Sequence, residues 1–159
     1  MKIKVGFGFD VHPLEPGAEL WLGGVQIPSE KGSVGHSDAD VLIHAICDAL
    51  LGAIGLRDIG FHFPDTNRAF KGIKSTILLA EVCKMVEREG YKINNIDSTI
   101  SLQKPKIADF IPLIIQTLAI SARIAEEDIS VKATTTEKLG FTGREEGIAA
   151  YCVVLISKV

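Results

Sequence analysis

The sequence predicts a single α+β domain over residues 1–159, built as a mixed β-sheet with helices packed on one face. Apolar residues alternate with period two over 2–9, 91–102 and 148–156, which marks strands. They recur at three- and four-residue steps over 39–53, 75–89 and 107–124, which marks helices. The resulting order is β, β, β, α, α, β, α, β, β, and no stretch of the 159 residues reads as a linker.

In KIKVGFGF (2–9), Ile3, Val5, Phe7 and Phe9 alternate with Lys4, Gly6 and Gly8, giving a strand with one apolar face. It ends at Asp10-Val11-His12-Pro13. There Asp10 and His12 point the same way, and Pro13 holds His12 extended. No phosphate-binding loop pattern accompanies Gly6 and Gly8, whose role is read as backbone freedom alone. ELWLGGVQI (19–27) reads as a hairpin around Gly23-Gly24, with Trp21 as packing, and 28–34 as a loop.

The next stretch, 35–65, starts with a helix whose apolar face is Ala39, Leu42, Ile43, Ile46, Ala49, Leu50 and Ala53. Ser37 occupies the N-cap position and forms a capping-box-like pair with Asp40, while Gly52 and Gly55 supply the stop. Asp40, His44 and Asp48 fall at four-residue steps and share a polar stripe beside the apolar one. Residues 57–65 read as an irregular loop punctuated by Gly60 and Pro64.

Residues 75–89 carry Leu78, Leu79, Val82, Met85 and Val86 on one face and close at Gly90. The strand 91–102 runs into Gln103-Lys104-Pro105-Lys106, where two lysines at a strand end favour an anion. In 107–124, Pro112 belongs in a first turn, so the helix starts nearer Asp109 than Ile107. A strand at 129–134, the polar segment TTTEKLGFTGREEG and the last strand complete the chain. A sheet with helices on one face leaves the other needing cover, and oligomerisation supplies it.

The composition, 47% hydrophobic and 23% charged, is that of a folded protein, and the net charge of -3 argues against a nucleic-acid partner. Cys47, Cys83 and Cys152 are odd in number and lie in apolar runs, which predicts buried free thiols in a reducing compartment. The strand pattern begins at once, so no signal peptide is expected, and no apolar run approaches the roughly 20 residues of a membrane span. A cytoplasmic protein with no membrane partner is expected.

Asp10 and His12 at a strand end, with His44 on a helix, would make three ligands of a zinc site with an open fourth position. Spacing alone leaves open whether His44 is a ligand or a hydrogen-bonded core residue.

The segments GFGFDVHPL, GHSDADVLIHAICDALLGAIGLRDIGFHFPD and VKATTTEKLGFTGREEGIA closely resemble signatures of the 2-C-methyl-D-erythritol 2,4-cyclodiphosphate synthase family, in order and over essentially the whole chain. The resemblance implies a phosphorus–oxygen lyase of the non-mevalonate isoprenoid pathway. It would convert 4-diphosphocytidyl-2-C-methyl-D-erythritol 2-phosphate to the cyclic diphosphate and CMP, as a homotrimer with active sites between subunits. It implies that Asp10, His12 and His44 bind Zn2+, and that Glu137 holds a second divalent ion, Mg2+ or Mn2+.

By the same resemblance, His36 and Thr135 match catalytic positions, and Ser37 lies with His36 near the substrate phosphate. Asp58, Ile59, Gly60, Phe63 and Asp65 match the methylerythritol pocket. Lys106, Ala133, Thr134 and Thr135 match the cytidine and phosphate side, contributed by the adjacent subunit. Phe141 and Arg144 match further binding positions, Arg144 facing a central channel where an isoprenoid phosphate would bind. Arg57, where the family usually has Gly, and Lys104 are departures, with Arg57 expected on the surface and His62 read as an exposed loop residue. Asp38, Asp40 and Asp48 are shared between capping, dipole and metal-supporting roles. Two other functions compete: a phosphoesterase using zinc-activated water, and a non-catalytic trimer binding isoprenoid phosphates.

Overall fold

The computed structural model describes residues 2–159. Five strands form one sheet in the order β4-β1-β7-β5-β6. They are β1 (Ile3–Pro16), β4 (Lys31–Ser33), β5 (Tyr91–Ser101), β6 (Ile129–Thr134) and β7 (Gly147–Lys158). β1 and β5 flank β7 antiparallel, while β6 runs parallel to β5, so the sheet is mixed as expected. β2 (Leu20–Leu22) and β3 (Val25–Ile27) form the predicted hairpin as a separate two-stranded sheet. Helix α1 (Val41–Ile54) packs across β1 and β7, α3 (Ser75–Arg88) against α1 and β5, and α4 (Ile111–Ala122) against α3 and β6.

β1 does not stop at Asp10. Its ladder with β7 continues to Pro13↔Gly147, and β4, inside the segment read as a loop, pairs with Leu14–Pro16. Asp10 and His12 are therefore held by a ladder and not by a loop. Gly6 and Gly8 also differ from expectation, since neither has a positive φ. A Cβ at Gly6 would stand 1.8 Å from the Ala49 carbonyl oxygen, and one at Gly8 1.9 Å from that of Ala45. What these glycines supply is room: the α1 backbone lies directly on β1.

The alternation then sends Ile3, Val5, Phe7, Phe9 and Val11 to the opposite face, where they are 42–64% exposed. Tyr151 and Val153 of β7, opposite Phe9 and Phe7 in register, extend this apolar surface.

Helix α1 is capped by Asp40, not Ser37, because the fully buried Asp40 carboxylate accepts three backbone N–H bonds. They come from Ile43 (3.1 Å) and from Gly23 and Gly24 of the hairpin (3.0 and 2.7 Å). Burial pushes the Asp40 carboxyl up to about 6 against the pull of these donors. The helix ends at Gly55 in the left-handed region (φ 77), with Gly52 inside its last turn.

The stretch read as irregular contains a short helix, α2 (Ile59–His62), capped by Asp58, and the polar segment contains α5 (Gly140–Gly143). α3 and β5 lie within a residue of the predicted spans, and Pro112 sits in the first turn of α4. All three cysteines are free and buried, and burial pushes the Cys83 and Cys152 thiols up to about 12. Among the described residues, no helix is long and apolar enough to cross a membrane.

Candidate metal centre and adjoining cavities

Close packing of α1 on β1 brings His44 to Asp10 and His12 within that strand. His12 Nε2 lies 3.0 Å from Asp10 Oδ2, His44 Nδ1 lies 3.1 Å from the same oxygen, and the two nitrogens are 3.1 Å apart. Ligands about 2.05 Å from a tetrahedral ion stand about 3.3 Å from one another, so the triangle has nearly the size zinc requires. Hydrogen bonds alone leave one edge poorly satisfied. If each imidazole aims its proton at Asp10, two donors face each other across the histidine pair. A cation above the triangle would take all three lone pairs, and two imidazoles with one carboxylate suit zinc. Among the described residues, this is the one convergence of three His, Cys, Asp or Glu side chains, and it excludes Glu137.

Burial would raise Asp10, but its hydrogen bonds with both histidines, and their charge, bring it down to about 2. Burial would lower His44, yet the Asp10 carboxylate raises it above the ordinary imidazole value.

On its other side, His44 Nε2 lies 3.0 Å from Ser75 Oγ and 3.1 Å from Ser37 Oγ. Ser75 donates both its hydroxyl and its backbone N–H to Asp38. Asp48 Oδ1 accepts from Ile59 N at 2.7 Å, which ties α2 to α1, and burial raises its carboxyl. The polar stripe of α1 thus divides into a cap, a candidate metal ligand and a loop anchor.

A cavity of about 250 Å³ opens beside the triangle. It gathers His12, His36, Ser37, His44, Ile59, Gly60, Phe63 and Asp65. His36 is held there by Asn67 O (3.3 Å from Nε2) and by its own carbonyl, which accepts from Gly72 N (2.9 Å). Asp58 does not line this cavity; its carboxylate caps α2 by accepting from Phe61 N at 3.0 Å. Phe70, Ile73 and Leu78 complete the wall, and sequence reasoning missed all three. Leu78 reads as helix core, whereas Phe70 and Ile73 lie in a stretch with no periodicity to flag them. A wider cavity of about 610 Å³ lies beyond Ser37 and Asp38, but among the described residues no set of three His, Cys, Asp or Glu side chains converges in it.

A further cavity, of about 200 Å³, forms where the parallel ends of β5 and β6 meet the entry to α4. Lys106, Ala133, Thr134 and Thr135 line it over an apolar floor of Leu102, Ile107 and Ile111. It shares no residue with the cavity beside the triangle, so one chain keeps its two groups of predicted residues apart.

Glu137 is exposed, with φ 53, and lines neither cavity, although its N–H bonds to Thr135 Oγ1 (3.3 Å). Phe141 and Arg144 also lie outside both, and Arg144 makes a two-pronged ion pair with Glu146 (2.8 and 3.2 Å). His62 is half-buried, not exposed, and bonds to Leu56 O at 2.7 Å, a structural role. Arg57 is on the surface as expected, at φ 67, with its guanidinium 4.1 Å from the Phe61 ring centroid. Lys104 pairs with Glu145 at 3.6 Å.

The model of the family described as "YgbB family" matches residues 3–157. A protein of Bacteroides thetaiotaomicron named 2-C-methyl-D-erythritol 2,4-cyclodiphosphate synthase is 60% identical over 158 residues, 99% of each chain. One of the same name from Phocaeicola vulgatus is 63% identical, again over 99% of each. The fold is similar to the bifunctional IspDF of Campylobacter jejuni, with TM-score 0.95 and 44% identity, over 99% of this chain and 43% of that one. It is also similar to IspF of Plasmodium falciparum solved as a CDP complex, with TM-score 0.87 and 34% identity, over 98% and 96%.

Proposed function

The chain belongs to the YgbB family, and we propose on that footing that it closes a ring. It converts 4-diphosphocytidyl-2-C-methyl-D-erythritol 2-phosphate to 2-C-methyl-D-erythritol 2,4-cyclodiphosphate and CMP, a step of isoprenoid synthesis. The observation that carries this reading is the triangle of Asp10, His12 and His44 opening on a cavity of the size of a small polyol phosphate. The relatives at 60% and 63% identity bear the name of this activity.

In the reaction, a 2-phosphate oxygen attacks the β-phosphorus of the diphosphate, and the bond from that phosphorus to the CMP oxygen breaks. The attacking phosphate is already ionised, so no base is needed; charge repulsion and alignment are the obstacles. Zinc on the triangle would neutralise phosphate charge and fix a phosphate oxygen. We assign His36 and Ser37, which line the cavity, to the phosphate, and Asp65 and the Ile59-Gly60 backbone to the hydroxyls. Phe63, Phe70 and Leu78 make part of the wall apolar, which disfavours the water a phosphoesterase would use.

The second cavity suits the nucleotide, with an apolar floor for the base and the Lys106 ammonium and Thr135 hydroxyl for phosphates. The Plasmodium falciparum relative was solved with CDP. Glu137, next to that cavity, is assigned to Mg2+ or Mn2+, which prefer oxygen ligands shared with phosphate. Because the cavities are separate in one chain, we assign a complete site to two chains of a homotrimer, with the face around Phe7 and Val153 as its apolar contact. An isoprenoid phosphate in a central channel would have to displace Glu146 from Arg144. We place the enzyme in the cytoplasm, where three unpaired cysteines persist.

Phosphorus NMR of a reaction with the cytidylated substrate and Mg2+ is the test. The reading predicts CMP and cyclic diphosphate in equal amounts; a linear product or free inorganic phosphate would sink it.

A further inference from the structure

Behind His44 runs a chain of hydrogen bonds whose directions are forced. The Asp38 carboxylate accepts from Ser75 N (2.9 Å), from the Ser75 hydroxyl and from Asp40 N (3.3 Å). A carboxylate has no proton to give, so the single proton of the fully buried Ser75 hydroxyl points to Asp38. Ser75 Oγ can then only accept from His44 Nε2, 3.0 Å away. In the neutral ring that metal binding requires, the one proton then sits on Nε2, and His44 presents a bare lone pair at Nδ1, the atom 3.1 Å from both Asp10 Oδ2 and His12 Nε2. Ser37 Oγ, 3.1 Å from the same Nε2, accepts from Ala39 N (3.2 Å) and keeps a rotatable proton, so it imposes no direction. His12 has no counterpart: among the described residues, no hydrogen bond reaches its Nδ1.

We propose that Ser75 and Asp38 are positioning residues that fix the tautomer and ring plane of His44, so that Nδ1 faces the metal. The inference rests on the metal reading given above. It also joins two parts of the site, because Ser75 heads α3 and lies two residues after Ile73, which walls the cavity. Asp38 N donates to Ile73 O (3.2 Å) and His36 O accepts from Gly72 N (2.9 Å), so the segment that orders the wall also orders the ligand.

The tautomer is read from imidazole ¹⁵N shifts of metal-free protein, and zinc affinity from competition with a chromophoric chelator. At a pH high enough for the ring to be neutral, wild type should show one His44 tautomer, with Nε2 protonated. In Ser75→Ala the Ser37 proton is free to turn toward Nε2, so both tautomers should be populated. Zinc binding should weaken about 10–100-fold, the range typical of groups that orient metal ligands. Asp38→Ala should do the same, and Ser37→Ala much less. Folded Ser75→Ala and Asp38→Ala proteins that keep the wild-type tautomer and zinc affinity would overturn the proposal, as would loss of helix in the circular dichroism in place of a tautomer change. Since the tautomer is read without metal, a wild-type chain that takes up no zinc would sink the metal reading and leave this result standing.

Discussion

His44 carries opposing demands: burial favours its neutral form, Asp10 favours the imidazolium, and a metal needs the neutral ring. The sign of the pH dependence follows. His44 is raised above its ordinary 6.5, so in metal-free protein its contribution is fully present below 6.5 and lost as pH rises through the raised value. Asp10 is lowered from 3.8 to about 2, so its contribution is present above 3.8 and lost as pH falls through about 2. Metal-free protein should therefore gain most from this pair between these limits, and zinc should move the melting-temperature optimum to higher pH. Melting curves across pH with and without zinc check this; an optimum that zinc leaves in place would contradict it. At this scale the sequence was partly legible. Asp10 and His12 are two residues apart on a strand, and their common direction is local geometry. Ser75 lies 37 residues from Asp38, and no local pattern links them.

At the scale of elements, the centre depends on how closely α1 approaches β1. Gly8→Ala would place a methyl 1.9 Å from the Ala45 carbonyl oxygen, one residue after His44. The helix must then shift by more than the triangle tolerates. A loss of about 2 kcal/mol or more in stability is expected, in the range of overpacking, together with weaker zinc binding. Urea unfolding and zinc titration measure both, and unchanged values would show that the strand does not set the ligand distance. Helix and strand spans were legible because periodicity is local. The cap was not: Ser37 and Asp40 are both good caps, and Asp40 wins because Gly23 and Gly24 of the hairpin also donate to it. β4 was missed because three residues carry no alternation, and only the partner strand makes them a strand.

For the whole molecule, the apolar row from Ile3 to Val11 alternates as a core-facing strand would, yet lies on the uncovered face. The glycines between those residues are what face the helix. Sequence alternation identified a one-sided strand but not which side the helices take. The separate cavities and this uncovered face lead to one expectation. His44→Ala and Lys106→Ala chains, each inactive alone, should regain activity when mixed under subunit exchange, up to about a quarter of wild type for random assembly of sites shared between two chains. No recovery despite exchange confirmed by native mass spectrometry would place each site within a single chain.

The Asp10, His12 and His44 triangle is proposed as the seat of metal-dependent ring closure. It is tested most directly by measuring zinc per chain and CMP release on the same preparations of wild type and His44→Ala. The expected result is one zinc per chain with CMP formed by wild type, and neither from a His44→Ala protein that remains folded. A folded His44→Ala protein that retains its zinc, or releases CMP at the wild-type rate, would contradict it.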